Sequence, residues 1–409
     1  MLDQVPRFDT ARPPQRQHLG WLIRLLSIPV LLKHRNKLTE RGMEGVKAPY
    51  FLLCNHNAFM DFMVASRAIW PARANFIVAI DGFLHREWLL RFIGCICTRK
   101  FTTDLPLIRN MLRAAKNGDV VALYPEARYS LCGTTAVIPP SVGKLAKKMK
   151  IPVVVLLCHG HHINSPFWNL VDRGVRGTEA ELTCILRPEE LEMLTADEIN
   201  ERIRAAMVYD DYAWQKERKI RITYPKRAEG LHKVLYQCCG CGAEYHMRSR
   251  GTRLWCEKCG AGWEMTELGQ LQAESGPTRF SHIPDWYEWE RQNVRREVEE
   301  GRYHFTCRTH VDALPKDRFI PIGKARLTHD MTGFTLETER EGTVHIPAAN
   351  QYSCHIEYEY LGKYGDCIDL NTPTDTLYIY PEDCDFSVTK IALATEELYD
   401  FAHRKRTAK

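Results

Sequence analysis

The sequence has no apolar run long enough for a membrane-spanning helix. Its longest candidate, Gly20 to Leu32, falls short of the roughly 20 residues a span needs and carries Arg24 and Pro29 inside. The opening residues, MLDQVPRFDT, lack the charged-then-apolar order of a secretory signal, so the 15 cysteines are expected to be reduced and intracellular rather than a disulfide scaffold. Excess charge of one sign is also missing. The 56 Lys and Arg against 51 Asp and Glu leave only +5, which speaks against both wholesale disorder and a surface made to coat DNA. No Gly-x-Ser-x-Gly is present, against the usual serine-hydrolase elbow, and no Gly-x-x-x-x-Gly-Lys-Ser/Thr, against a P-loop NTPase.

What is present is enough apolar material, 44% of 409 residues, for two or three packed domains. From about Pro49 to Arg187, short apolar runs alternate with helical patterns: Phe51–Cys54, Phe76–Ile80, Ile93–Cys97, Val120–Tyr124, Pro152–Leu157 and Leu182–Leu186. Continuous apolar strands between helices mean an α/β domain with a largely parallel sheet. One helix is marked by Asp104 as its cap, by Leu105, Ile108, Met111, Leu112 and Ala115 at helical spacing, and by Gly118 after its end. A second is expected over roughly Asp197 to Lys216. The Gly20–Leu32 helix has basic flanks (Arg12, Arg16, Lys33, Arg35, Lys37), which suits either the interface of an anionic membrane or packing on the protein's own core.

The second half reads differently. Gln237 to Trp263 has cysteine pairs and glycines and no long apolar run; Pro284 to Glu300 reads as a polar helix carrying Trp286, Tyr287 and Trp289 as packing aromatics. From Tyr303 to Tyr380 short β-like segments follow one another, and a last helix has Ser387 as cap and Ile391, Ala394, Leu398 and Phe401 as its apolar stripe. Short strands closed by one amphipathic helix resemble a pleckstrin-homology-like barrel.

Cys238-Cys-Gly-Cys241-Gly and Cys256-Glu-Lys-Cys259-Gly form two CxxC-Gly knuckles. Four thiolates satisfy tetrahedral Zn²⁺, and each short loop presents two of them, so a structural zinc ribbon is expected; iron at a rubredoxin-like site and plain free cysteines are the alternatives. Cys239, inside the first knuckle, is not expected to be a ligand. Lys233, Arg248, Arg250, Arg253 and Lys258 around the ribbon read as a solvated face rather than a nucleic-acid surface.

The chemistry is expected where the first apolar strand runs into a helix, at Asn55-His56-Asn-Ala-Phe-Met-Asp61. Residues five apart on one helix point away from each other, so His56 must lie on the turn and Asp61 in the first helical turn if the two are to meet. The carboxylate then fixes the imidazole tautomer while the other ring nitrogen faces a substrate. Arg99 and Lys100 follow another strand, Glu126 and Arg128 a third, and strand carboxyl ends are where ligands gather in open α/β sheets. A His/Asp base beside guanidinium groups suits an acceptor with both a hydroxyl and a phosphate. His159, His161 and His162 sit at a further strand end and are expected to line the pocket.

Asn55-His56 with Asp61, Gly94-Cys-Ile-Cys-Thr-Arg99, Tyr124-Pro-Glu-Ala-Arg-Tyr-Ser130 and Ile151-Pro-Val-Val-Val155 resemble, in order and spacing, the four sequence blocks of the 1-acylglycerol-3-phosphate acyltransferase (glycerolipid acyltransferase) family, and Lys37–Gly45 resembles its lead-in strand. The resemblance covers about residues 18–220. It implies that His56 is the general base, Asp61 its orienting partner, and Arg99 and Glu126, with Arg128 beside them, members of the acceptor-phosphate site. The third block departs from Phe-Pro-Glu-Gly-Thr-Arg-Ser: Ala127, Arg128 and Tyr129 replace Gly, Thr and Arg, moving the arginine by one residue.

The resulting expectation is an O-acyltransferase that moves an acyl group from acyl-CoA or acyl carrier protein to a glycerophosphate or lysophospholipid, cytoplasmic and peripheral at the inner face of the membrane. The alternative is a non-catalytic zinc-ribbon adaptor that binds lipid or carrier protein. The expected domains are 1–225 (acyltransferase, with the N-terminal amphipathic segment), 226–268 (zinc ribbon), 269–302 (linker helix) and 303–409 (β-rich).

Overall fold

In a computed structural model of the protein, which describes residues 4–102, 104–339, 341–360 and 364–407, the apolar runs of the first half become strands of one sheet. The strands are β1 (Lys37–Arg41), β2 (Phe51–Cys54), β3 (Ala74–Ala79), β4 (Ile96–Thr98), β5 (Val120–Leu123), β6 (Val153–His159) and β7 (Glu179–Leu186). Their order across the sheet is β1-β7-β6-β2-β5-β3-β4, and every neighbouring pair is parallel except β6 with β7. α1 (Gly20–Lys33) precedes the first strand; the chain between the strands forms α2 (Met60–Ala68), α3 (Glu87–Phe92), α4 (Leu105–Lys116), α5 (Ser141–Met149) and α6 (His161–Asn164); α7 (Pro188–Met193), α8 (Ala196–Ala206) and α9 (Asp211–Glu217) follow the last strand.

All four residues of β2 are fully buried, as a strand covered on both faces requires. On one face Phe51, Leu53, Val121, Val153 and Val155 pack against Met111 and Ala114 of α4, Val142 and Ala146 of α5, and Ile199 and Ile203 of α8. A side chain at Gly143 would bring a Cβ to 2.3 Å from the carbonyl oxygen of Ala196, so glycine is what lets α5 and α8 approach this closely. Asp104 caps α4 by accepting the Leu107 N–H at 2.9 Å. The single helix expected over Asp197–Lys216 is two helices. The chain leaves the helical path after Ala206, and Asp210 restarts it by accepting the Ala213 N–H at 2.8 Å.

The chain divides into two compact units. One is Asp9–Thr98 with Asp104–Arg221, the sheet just described; the other is Met1–Phe8, Arg99–Thr103 and Ile222–Lys409. The cysteine knuckles, the helix after them and the β-rich segment belong to one unit, together with two short stretches from the first half.

That second unit begins with a four-stranded antiparallel sheet, β8 (Met247–Arg250), β9 (Arg253–Cys256), β10 (Gly262–Met265) and β11 (Leu271–Ala273), followed by α10 (Ile283–Glu299). Trp286 of α10 is fully buried: its ring meets Trp263 edge-on at 4.9 Å and its Nε1 donates to the Gln237 carbonyl at 2.9 Å. Glu290, one turn on, accepts the Gln237 N–H at 2.8 Å, so α10 holds the stem of the first knuckle from both sides of one peptide residue.

Seven antiparallel strands follow, β12 (His304–Leu314), β13 (Ile320–Asp330), β14 (Gly333–Thr338), β15 (Gly342–Pro347), β16 (His355–Glu357), β17 (Cys367–Asn371) and β18 (Thr376–Glu382), in the order β15-β14-β13-β12-β18-β17-β16, and α11 (Val388–Thr407) closes the chain. The strand expected over Ser353–Tyr360 is therefore only three residues long. The outer strands β15 and β16 do not pair with each other among the described residues, so hydrogen bonding leaves the sheet open and does not establish the pleckstrin-homology-like barrel.

Candidate active site

Strand order decides what meets. β2 lies between β6 and β5, so three carboxyl ends come together: the turn Asn55–Phe59 after β2, Tyr124–Ser130 after β5, and His159–Asn164 at the end of β6. His56 is on the first turn and Asp61 in the first turn of α2, as the spacing requires. His56 Nδ1 lies 3.2 Å from Asp61 Oδ2, and the same oxygen accepts the N–H groups of Asn57 at 2.5 Å and Ala58 at 2.9 Å. The turn is pinned on every side. The Asn55 amide donates to the Cys158 carbonyl and accepts the Cys158 N–H, Ser130 N–H donates to the His56 carbonyl at 2.8 Å, and Tyr209 Oη donates to Asn57 Oδ1 at 3.0 Å.

Asp61 is fully buried, and burial by itself would raise its carboxyl. Hydrogen bonds from His161 and His56, with the charges of both rings, outweigh that effect and hold it at about 2. A buried carboxylate ionised at neutral pH is tied to the imidazole through Nδ1, the His56 side chain is still 25% exposed, and Nε2 is the ring nitrogen that Asp61 does not engage, which is the arrangement a general base requires. The rings of Tyr124 and Tyr129 pack on His56 with centroids at 4.2 and 4.3 Å, so Tyr129 puts an aromatic face against the base where the resembled pattern has arginine.

His56, Asp61, Tyr124 and Tyr129 lie in a stretch, residues 33–158, that matches the family model described as Acyltransferase; His161 and Tyr209 lie beyond it. That stretch, about a third of the chain, is similar to the Acyltransferase family. No curated protein matches the chain. Among solved structures, the crystal structure of the 1-acyl-sn-glycerophosphate (LPA) acyltransferase PlsC from Thermotoga maritima is 16% identical, covers 46% of this chain and 78% of that one, and superposes with a TM-score of 0.37, too slight a likeness to transfer a substrate.

Within the matched stretch Glu126 is 1% exposed, accepts the Ala136 N–H at 2.9 Å through Oε2, and has no hydrogen-bond partner at Oε1. Burial pushes its carboxyl up to about 8, against the downward pull of the Ala136 and His56 backbone N–H groups and of Arg128, so it is mostly neutral at pH 7. Arg128 is buried, and its charge reaches Glu126. Ala127 between them holds φ at +55°, a left-handed conformation that costs an L-residue about 1–2 kcal/mol and is the reason glycine suits the position.

Arg99 belongs to the second unit, where it is 3% exposed and its guanidinium donates to the carbonyls of Leu314 (3.3 Å) and Pro315 (3.0 Å) and to Thr376 Oγ1 (3.0 Å). Of the three histidines expected to line the pocket, His161 is fully buried with Nδ1 2.5 Å from Asp61 Oδ1. His162 is fully buried and held neutral by burial at about 3, and His159 stacks on Trp214 at 6.1 Å. Asp211 fixes this corner by accepting the N–H groups of Gly160 at 3.0 Å and His162 at 2.9 Å. The sequence marked His161 as a pocket residue; that it shares Asp61 with His56 needed the β6-β2 adjacency.

Among the described residues, three groups have donor atoms near enough to share a cation, all within 4.8 Å of one another within each group: Cys238, Cys241, Cys256 and Cys259; Asp61, Cys158 and His161; and His355, Glu357 and Asp369. The last already has Lys100 Nζ 3.0 Å from His355 Nε2. In the second the short His161–Asp61 hydrogen bond fills the space. The four cysteines fit a metal: Cys238 and Cys259 sulfurs are 3.7 Å apart, Cys241 and Cys256 3.8 Å, and a tetrahedron with Zn–S bonds of about 2.3 Å has edges of about 3.8 Å.

Proposed function

We propose that the protein transfers an acyl group from a thioester, carried by coenzyme A or an acyl carrier protein, to a hydroxyl of a glycerophosphate or lysophospholipid at a membrane surface. The observation that carries the reading is the His56–Asp61 pair, a partly exposed imidazole backed by a buried ionised carboxylate. His56 Nε2 takes the proton of the acceptor hydroxyl as that oxygen attacks the thioester carbonyl, and Asp61 stabilises the imidazolium that forms. The carbon–sulfur bond then breaks, the proton passes from His56 to the departing thiolate, and an ester remains. No nucleophile from the protein is needed.

Glu126 and Arg128 are the proposed acceptor-phosphate groups. A glutamic acid that is neutral at pH 7 donates a hydrogen bond to a phosphate oxygen instead of repelling it, and Arg128 supplies the charge. The Arg99 guanidinium donates to the carbonyls of Leu314 and Pro315, so the proposed phosphate site is argued from Glu126 and Arg128. The knuckle cysteines would hold Zn²⁺; with four thiolates it has no open coordination position, so it ties the two knuckles together and takes no part in the transfer.

A membrane location draws support from α1. Trp21, Leu25, Ile28 and Leu32 recur at helical spacing on one face and are 55%, 54%, 41% and 71% exposed. Arg24 and Lys33 supply cations beside this stripe, the arrangement of a helix lying in an anionic interface at the cytoplasmic side. No helix among the described residues is long and apolar enough to cross a membrane.

The test is acyl transfer from a radiolabelled thioester to a panel of lysophospholipids and glycerol phosphates, with the product named by lipid mass spectrometry. His56→Ala is expected to lower turnover about 10²–10⁴-fold. A fully active His56→Ala protein, or a wild-type protein that acylates nothing while binding lipid or carrier protein, refutes the reading; the second result favours the adaptor.

A further inference from the structure

Asp61 is bound at both oxygens. Oδ2 serves His56 and two backbone N–H groups of the turn; Oδ1 meets His161 Nδ1 at 2.5 Å, with both side chains fully buried. His161 reaches this place because β6 pairs in parallel with β2 and then turns at Gly160, whose φ of +86° starts the single turn of α6. Two further ties set where the turn ends: the Asn55 amide holds the Cys158 backbone, and Asp211 accepts the N–H groups on either side of His161, those of Gly160 and His162. The other ring nitrogen, Nε2, is buried without a hydrogen-bond partner, so His161 spends its one polar contact on Asp61.

We propose that His161 is a positioning residue for the acyl transfer: by holding Oδ1 it fixes the plane of the Asp61 carboxylate, so that Oδ2 faces His56 Nδ1 and Nε2 is the nitrogen left to take the proton. The proposal rests on the general-base reading of His56. A carboxylate held only at Oδ2 can rotate about its Cβ–Cγ bond, and in a buried site the oxygen released by losing His161 would compete for the donors that now orient His56. His161 touches neither substrate nor the reacting atoms, so its effect must pass through Asp61. That requirement makes it separable from a residue that merely packs.

The experiment is a double-mutant cycle in the full-length protein. His161→Ala is expected to lower kcat about 10- to 100-fold, with KM nearly unchanged, the loss that follows when one buried hydrogen bond to a charged group is removed. His161→Asn, whose amide nitrogen sits near the place of Nδ1, is expected to recover most of kcat, and His161→Gln, which puts its amide at the place of Nε2, is not. In an Asp61→Ala background, His161→Ala is expected to add nothing. Equal losses in both backgrounds, an unchanged kcat in His161→Ala, or rescue by Gln as full as by Asn would overturn the proposal. Nitrogen-15 spectra of labelled histidine supply a readout that needs no turnover. The wild type is expected to show a single Nδ1-protonated form of His56 and His161→Gln to lose it, and identical His56 signals in both would overturn the proposal even if no acyl acceptor is found. A wild-type protein without transferase activity refutes the proposed function; the spectra then judge the positioning role by itself.

Discussion

Replacing Glu126 by glutamine removes a titration that the fold strongly perturbs. In the folded protein burial lifts the carboxyl from 4.5 to about 8. At about 1.4 kcal/mol per unit, this difference corresponds to about 5 kcal/mol between low and high pH. The sign follows from proton binding: between pH 4.5 and 8 the native state keeps a proton that the unfolded chain has released, so stability falls as pH rises through that window. At pH 5 the loss is under about 1 kcal/mol and at pH 7 about 3 kcal/mol, both from the same two constants. Glutamine keeps the shape and the carbonyl that accepts the Ala136 N–H, and it carries no charge to desolvate. Glu126→Gln is therefore expected to match the wild type near pH 5 and to exceed it by about 3 kcal/mol at pH 7. Urea unfolding at half-unit steps from pH 5 to 8.5 measures this. Asp211, lifted by burial to about 7, contributes a slope of the same sign to both proteins, so the difference between the curves isolates Glu126. Parallel curves across the range would mean that Glu126 is ionised in the native state, and the account of a neutral acid in a phosphate site would fall with it.

Ala127→Gly is expected to raise stability by about 0.5–1 kcal/mol, the relief of the left-handed φ less the extra chain entropy of glycine, seen as a higher urea midpoint; an unchanged or lower midpoint contradicts the strain. Purified protein is expected to hold one zinc per chain by elemental analysis, and a strong chelator or Cys259→Ser is expected to lower the melting temperature and free Trp286 fluorescence from its buried environment, without abolishing acyl transfer in whatever fraction stays folded. Leu25→Glu with Leu32→Glu is expected to weaken sedimentation with anionic vesicles at least tenfold, since each exposed leucine contributes roughly 1.5–3 kcal/mol when fully buried in lipid. Vesicle binding that survives both changes would move the membrane contact elsewhere on the molecule.

Local signals were legible where a single stretch of chain carries them. Asp104 caps its helix, His56 lies on the turn with Asp61 one helical turn in, and the CxxC knuckles bring four sulfurs to tetrahedral spacing. Each depends on residues close in sequence or on a loop geometry that the spacing dictates. The break at Met207–Asp210 is not legible in the sequence, because the apolar repeat continues across it and only the Asp210 cap marks the restart. The β-rich segment shows its short strands in sequence, yet its order and its open edges come from pairings such as β12 with β18, far apart in the chain.

The sequence by itself determined the α/β alternation, the pairing of His56 with Asp61, and the cysteine cluster, since periodicity and short spacing leave few alternatives. Only the tertiary structure decided that β2 lies between β5 and β6, that Glu126 is buried deeply enough to stay protonated, that His161 shares Asp61, and that Arg99 serves the carbonyls of Leu314 and Pro315. The physical reason is that burial and strand adjacency belong to no residue. They arise when segments a hundred residues apart exclude water from one another, and the ionisation and hydrogen bonding of a side chain follow from that exclusion.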